Sequence, residues 1–133
     1  MKQTRRIILV AIFSFVIVSS TIGIPLYFHY RSIYILPITI ISYQLNPSVG
    51  EEWVLNGTIR ISDSCWKFKS PIIKMDEQKK EVSIIIKAKR DYGSICLAMV
   101  FYIEKTISLI FPISGQWRVR CNDKIITVYA QEN

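Results

Sequence analysis

The sequence is poor in the side chains that most catalysis needs. It has one histidine, His29, and three cysteines, Cys65, Cys96 and Cys121. Beyond residue 32 there is no histidine at all, so a cysteine or serine nucleophile would have no imidazole base beside it. The cysteines are far apart and no C-x₂-C pair occurs, which argues against a zinc site. The ten acidic residues mostly fall in polar, turn-like stretches, where acids are ordinary. A two-carboxylate hydrolase needs one acid in an apolar pocket, and only Asp63 beside Trp66 hints at one. These shortages point away from an enzyme and imply no catalytic residue, no metal and no cofactor. Glycine and proline are sparse, five of each, and there is neither a repeat nor a low-complexity tract.

A different absence marks the N-terminus. Residues 7–28, IILVAIFSFVIVSSTIGIPLYF, carry no charge. As a helix rising about 1.5 Å per residue, this run reaches roughly 33 Å, enough to cross a hydrocarbon core. Lys2, Arg5 and Arg6 precede it and mark the cytoplasmic side. Tyr27, Tyr30 and Tyr34, with His29 and Arg31, read as an interfacial belt. The run exceeds an ordinary signal-peptide core, which favours an uncleaved single-pass signal-anchor. A long cleaved signal, cut near Val18-Ser19-Ser20 or Thr21-Ile22-Gly23, is the alternative. With no cysteine nearby, a lipoprotein anchor is disfavoured. The expected organisation is a basic stub over 1–6, an anchor over 7–28, a linker over 29–37 and an extracytoplasmic domain over 38–133.

The net charge of +7 follows this division. Four basic residues and no acid lie in 1–31, while the remaining 13 basic residues face ten acids. More than half the excess is therefore a topology signal, and nucleic acid is not an expected partner.

The rest of the chain alternates with period two. Trp53, Leu55, Gly57, Ile59 and Ile61 share one face, and Val54, Asn56, Thr58 and Arg60 the other. Asn56-Gly57 resembles a hairpin turn, yet the apolar phase passes straight through it. A single strand with Gly57 at a bulge or close contact is the better reading. Asn56-Gly57-Thr58 also matches a glycosylation sequon, which makes Asn56 a candidate acceptor. Further strands are expected over 38–45, 66–75, 82–89, 95–103 and 106–111. A final hairpin turns at Asn122-Asp123, with Ile125–Tyr129 as its return. Seven or eight such strands make the pattern of a β-sandwich.

Cys65 and Cys96 each begin a strand after a polar loop. In an oxidising compartment a disulfide is the default, with an inert thiol or a reactive or metal-binding thiol as alternatives. Cys121 shares the inward phase of Trp117 and Val119. It reads as a small buried hydrophobe, or alternatively as one half of an intermolecular bridge.

The strings DSC, CLAMVF and GQWRVRCND resemble a group of small prokaryotic extracytoplasmic immunoglobulin-like β-sandwich domains. The resemblance covers about residues 38–130. It implies a Cys65–Cys96 bridge, a last turn at Asn122-Asp123, and no catalytic residues. Trp66 after the aspartate turn, and Cys121 in place of Val or Ile, depart from that pattern.

The expected fold is thus all-β: an immunoglobulin-like antiparallel sandwich behind one N-terminal transmembrane helix. The expected function is a membrane-anchored extracytoplasmic binding or structural module without catalytic activity. Lys67, Lys69, Lys87, Lys89, Arg118 and Arg120 fall at outward positions and form a candidate basic face for a protein partner or an anionic polymer or lipid. A solvated face that blocks edge pairing is the plainer reading. The functional alternative is an accessory subunit of a larger membrane complex, assembled through small residues of the anchor such as Thr21 and Gly23.

Overall fold

The computed structural model describes residues 33–91 and 95–132. The stub and anchor expected over 1–28 lie outside the described residues. Ten strands follow in order: β1 (Ile33–Ile35), β2 (Ile38–Tyr43), β3 (Glu52–Ile61), β4 (Trp66–Phe68), β5 (Ile72–Asp76), β6 (Glu81–Ile85), β7 (Lys87–Arg90), β8 (Phe101–Ile110), β9 (Gly115–Cys121) and β10 (Lys124–Ala130). The described residues contain no helix, so the chain there is all-β. Three sheets form, in the orders β2-β3-β8, β10-β9-β6-β5 and β1-β7-β4. Their registered neighbours are antiparallel except β6 and β9, which run parallel with Val82 opposite Val119.

The alternation explains the core. On β3, Trp53, Leu55, Ile59 and Ile61 are buried while Val54 and Arg60 are exposed. On β9, Trp117, Val119 and Cys121 are buried between exposed Gln116, Arg118 and Arg120. These inward faces, with Val82, Ile84, Ile107 and Val128, join one hydrophobic cluster drawing on two sheets. Phe111 links them: its ring lies 5.5 Å from Trp53 and 5.2 Å from Trp117. Both indoles keep their polar edge satisfied, donating to the carbonyls of Gln44 and Ile113 at 2.8 and 3.0 Å.

Strand β3 is continuous through Asn56-Gly57, as the phase requires. Its close contact is real: a Cβ on Gly57 would sit 2.8 Å from Ile38 Cδ1 and 3.0 Å from the Thr39 carbonyl. The irregularity lies in the neighbour, where the β2 register slips between Ile40 and Ser42.

Four expectations are corrected. The strand expected over 66–75 is two, β4 and β5, in different sheets. Pro71 interrupts it, because proline supplies no N–H to a ladder. The strand over 82–89 divides at Ile86, whose N–H donates to Asn122 Oδ1 at 2.8 Å. Conversely, 95–103 and 106–111 do not form two strands. Residues 95–100 lie outside the strands, and β8 runs unbroken from Phe101 to Ile110 against β3. Lys105 sits at an inward phase and breaks the apolar pattern in sequence. Its ammonium lies 4.5 Å over the Phe68 ring, so the stem packs and the charge keeps a partner. Finally, β1 falls within the stretch expected to be linker. Among the described residues the strands therefore number ten rather than the seven or eight expected.

Candidate functional site

The turn Ser62-Asp63-Ser64 leads into Cys65, and Cys65 is bonded to Cys96 with 5.3 Å between their Cα atoms. The bridge staples two segments that are also joined by backbone. Ser64 N–H donates to the Leu97 carbonyl at 3.2 Å, and Leu97 N–H donates to Ser64 Oγ at 2.9 Å. Asp63 is the one buried charged side chain among the described residues. It accepts the Cys65 N–H at 3.0 Å and two donors of Arg90, Nε at 3.1 Å and Nη2 at 2.8 Å. Burial pushes its carboxyl up, but the Cys65 N–H, the Arg90 guanidinium and the Ser62 hydroxyl outweigh this and hold it below its ordinary value. A general acid needs the opposite shift. The Asp63 carboxylate and the two sulfurs lie within 4.8 Å of one another. Since the sulfurs are joined and the carboxylate is taken by Arg90, this cluster is a structural lock.

Just beyond the lock are the lysines. Strands β4 and β7 are antiparallel, with Lys67 directly opposite Lys89. One step on, Lys69 N–H donates to the Lys87 carbonyl at 2.9 Å, which continues the same register. Two lysine–lysine rungs therefore share one face. The opposite face carries Trp66, Phe68 and Ala88 toward the core. Like charges directly opposed on neighbouring strands are unfavourable. Only Lys67 has an acid within reach, Asp91 Oδ2 at 3.7 Å; among the described residues Lys69, Lys87 and Lys89 make no ion pair.

Arg118 and Arg120 do not join this ladder. They project from β9, in the four-stranded sheet. There they line an open groove of about 290 Å³ with Lys74, Asp76, Glu81 and Ser83. Arg118 is paired with Glu81 at 3.3 Å. The six basic residues thus occupy two sheets, four on one and two on another.

Asn56 lies half-buried at the middle of the central strand β3. Its Nδ2 donates to Ser42 Oγ at 3.3 Å, and its Oδ1 accepts from Thr106 Oγ1 at 2.9 Å. Cys121 is fully buried in the core cluster and unbonded, and burial pushes its thiol up to about 11. This is the small-hydrophobe position; an intermolecular bridge would need it at the surface.

Two residues of this region carry roles that sequence reading did not assign. Arg90 continues the inward phase of Val82, Ile84, Ile86 and Ala88, and an arginine on an inward phase is itself the signal for a buried acid. Asn122 shows no comparable signal beyond its turn. Comparison with protein families, with curated proteins and with solved structures finds no match to this chain.

Proposed function

We propose that the chain is a membrane-anchored extracytoplasmic binding module, working through the surface of an immunoglobulin-like β-sandwich rather than by catalysis. The lysine ladder of β4 and β7 carries this reading. By the β4–β7 register four lysines share one sheet face, and among the described residues one ion pair, Lys67 with Asp91, offsets them. Such a field attracts anionic partners. The uncharged run 7–28 supports the anchor, and its basic flank supports a cytoplasmic N-terminus. The Cys65–Cys96 bridge supports an oxidising compartment. The sandwich assignment draws on two sheets sharing one core, and the parallel β6–β9 pair is where it departs from an all-antiparallel arrangement.

Alkaline carbonate extraction combined with protease treatment of intact cells tests the topology. Retention in the membrane pellet, with the domain digested from outside, is expected. Release into the supernatant, or a domain protected until lysis, contradicts it.

A second reading, an accessory subunit of a larger membrane complex, draws on β8. This ten-residue strand ends its sheet, so one side of its backbone pairs with no strand among the described residues. Crosslinking in intact membranes separates the two: a defined hetero-complex through β8 favours the subunit.

A further inference from the structure

We propose that the outer face of the β1-β7-β4 sheet, together with the apolar segment 95–100, docks onto an anionic lipid bilayer. This rests on the anchored reading above and identifies what its basic face binds.

Three observations converge. The first is the ladder itself, with Lys67 against Lys89 and Lys69 against Lys87. Such a cluster of ammonium groups is attracted to a surface of anionic headgroups. The mutual repulsion of these pairs would be relieved by the same headgroups.

The second is the apolar surface beside it. Leu97 is 68% and Met99 61% exposed, with Ile95 and Val100 also exposed. The Cys65–Cys96 bond and the two Ser64–Leu97 bonds hold this segment at the start of β4. On β1, Tyr34 packs edge-on to Trp66 on the inner face, with ring centroids 5.3 Å apart. Alternation then puts Ile35, 56% exposed, on the lysine side. Exposed aliphatic groups flanked by lysines are the composition of an interfacial surface: the apolar groups enter the headgroup boundary and the ammonium groups meet the phosphates.

The third is the tether. β1 begins at Ile33, five residues after the uncharged run ends at Phe28. Fully extended, that connection spans roughly 17 Å. On the anchored reading, so short a connection in sequence gives the sheet a high effective concentration of lipid. Charge, exposed apolar groups and tether length select a lipid surface over a soluble polyanion.

The test is amine footprinting of the full chain reconstituted in two kinds of vesicle, phosphatidylcholine alone and phosphatidylcholine with phosphatidylglycerol. Lys67, Lys69, Lys87 and Lys89 should acylate at least about fivefold more slowly in the anionic vesicles, with the difference erased by high salt. Lys74 and Lys79, on and after β5, should not change. A photoactivatable phospholipid should label residues 95–100 in the anionic vesicles. Equal acylation of the four lysines in both vesicles, with the chain still retained after carbonate washing, overturns lipid docking and leaves the anchored module standing. Protection by added soluble polyphosphate but not by phosphatidylglycerol overturns it in favour of a free polyanion. Loss of the chain on carbonate washing overturns the anchor, and the docking proposal with it.

Discussion

Asp63 and Arg90, distant in sequence, meet in a charge pair in which one carboxylate oxygen receives two guanidinium donors. The Asp63 carboxyl is held below its ordinary value, so its contribution to stability is complete above the ordinary carboxylate range. It is lost as pH falls through the lowered folded value. Asp63→Asn should therefore lower the thermal midpoint by several degrees at pH 7 and by progressively less on acidification. Midpoints measured from pH 7 down to pH 2 check this; parallel curves for the two proteins would contradict it.

Asn122 turns the β9–β10 hairpin and fastens two other segments. Its backbone takes a positive φ of 49°, which asparagine tolerates better than most residues. Its side chain accepts the Ile86 N–H at 2.8 Å and donates to the Leu36 carbonyl at 2.7 Å. Asn122→Ala should cost about 2–3 kcal/mol by leaving these backbone groups unpaired. Asn122→Gly relieves the backbone but not the lost bonds, so denaturant unfolding should show it nearly as damaged. Restoration of most stability by glycine would show that the dihedral matters rather than the side chain.

Gly57 faces Ile38 with no room for a methyl group. Gly57→Ala should destabilise by about 1–3 kcal/mol through overpacking. Ile38→Val removes the Cδ1 atom that such a Cβ meets, so the double variant should lose less than the sum of the singles. Strict additivity in equilibrium unfolding would place the strain elsewhere, at Ile38 Cγ1 or the Thr39 carbonyl, each 3.0 Å from such a Cβ.

Cys121 should be silent in the folded state. Its thiol is buried and raised to about 11 from 9.0. Iodoacetamide at pH 8 should label it only after denaturation. Between the two values the unfolded chain loses this proton first, so the contribution of Cys121 to stability falls as pH rises from about 9 to 11. Native-state labelling at the rate of the denatured chain would refute the buried position.

Much of the fold is legible in the sequence because alternation reports burial directly. The phase of Trp53–Ile61 gives both faces of β3, and the Trp117–Cys121 phase gives β9 and its hairpin. The strand divisions are less legible, since they depend on partners distant in sequence. Nothing local to Ile86 announces that Asn122 will take its N–H, and nothing local to Lys105 announces the Phe68 ring. The four lysines are legible as outward residues, but their opposition needs the β4–β7 register. Arg118 and Arg120 share the same outward signal and belong to another sheet, which alternation alone does not distinguish. Residues 95–100 read as a strand because they are apolar; the bridge and Ser64 hold them at the surface instead.

Disulfide mapping with intact mass, on chain extracted from membranes without reductant, bears on the compartment, the anchor and the lock together. An N-terminus that includes residues 7–28, a linked Cys65–Cys96 peptide and a free Cys121 are predicted. Reducing that bridge should cost about 3–4 kcal/mol in the chain-entropy model, given its sequence separation of 31. Reduced Cys65 and Cys96 in freshly extracted protein would contradict an oxidising compartment, and with it the extracytoplasmic binding module.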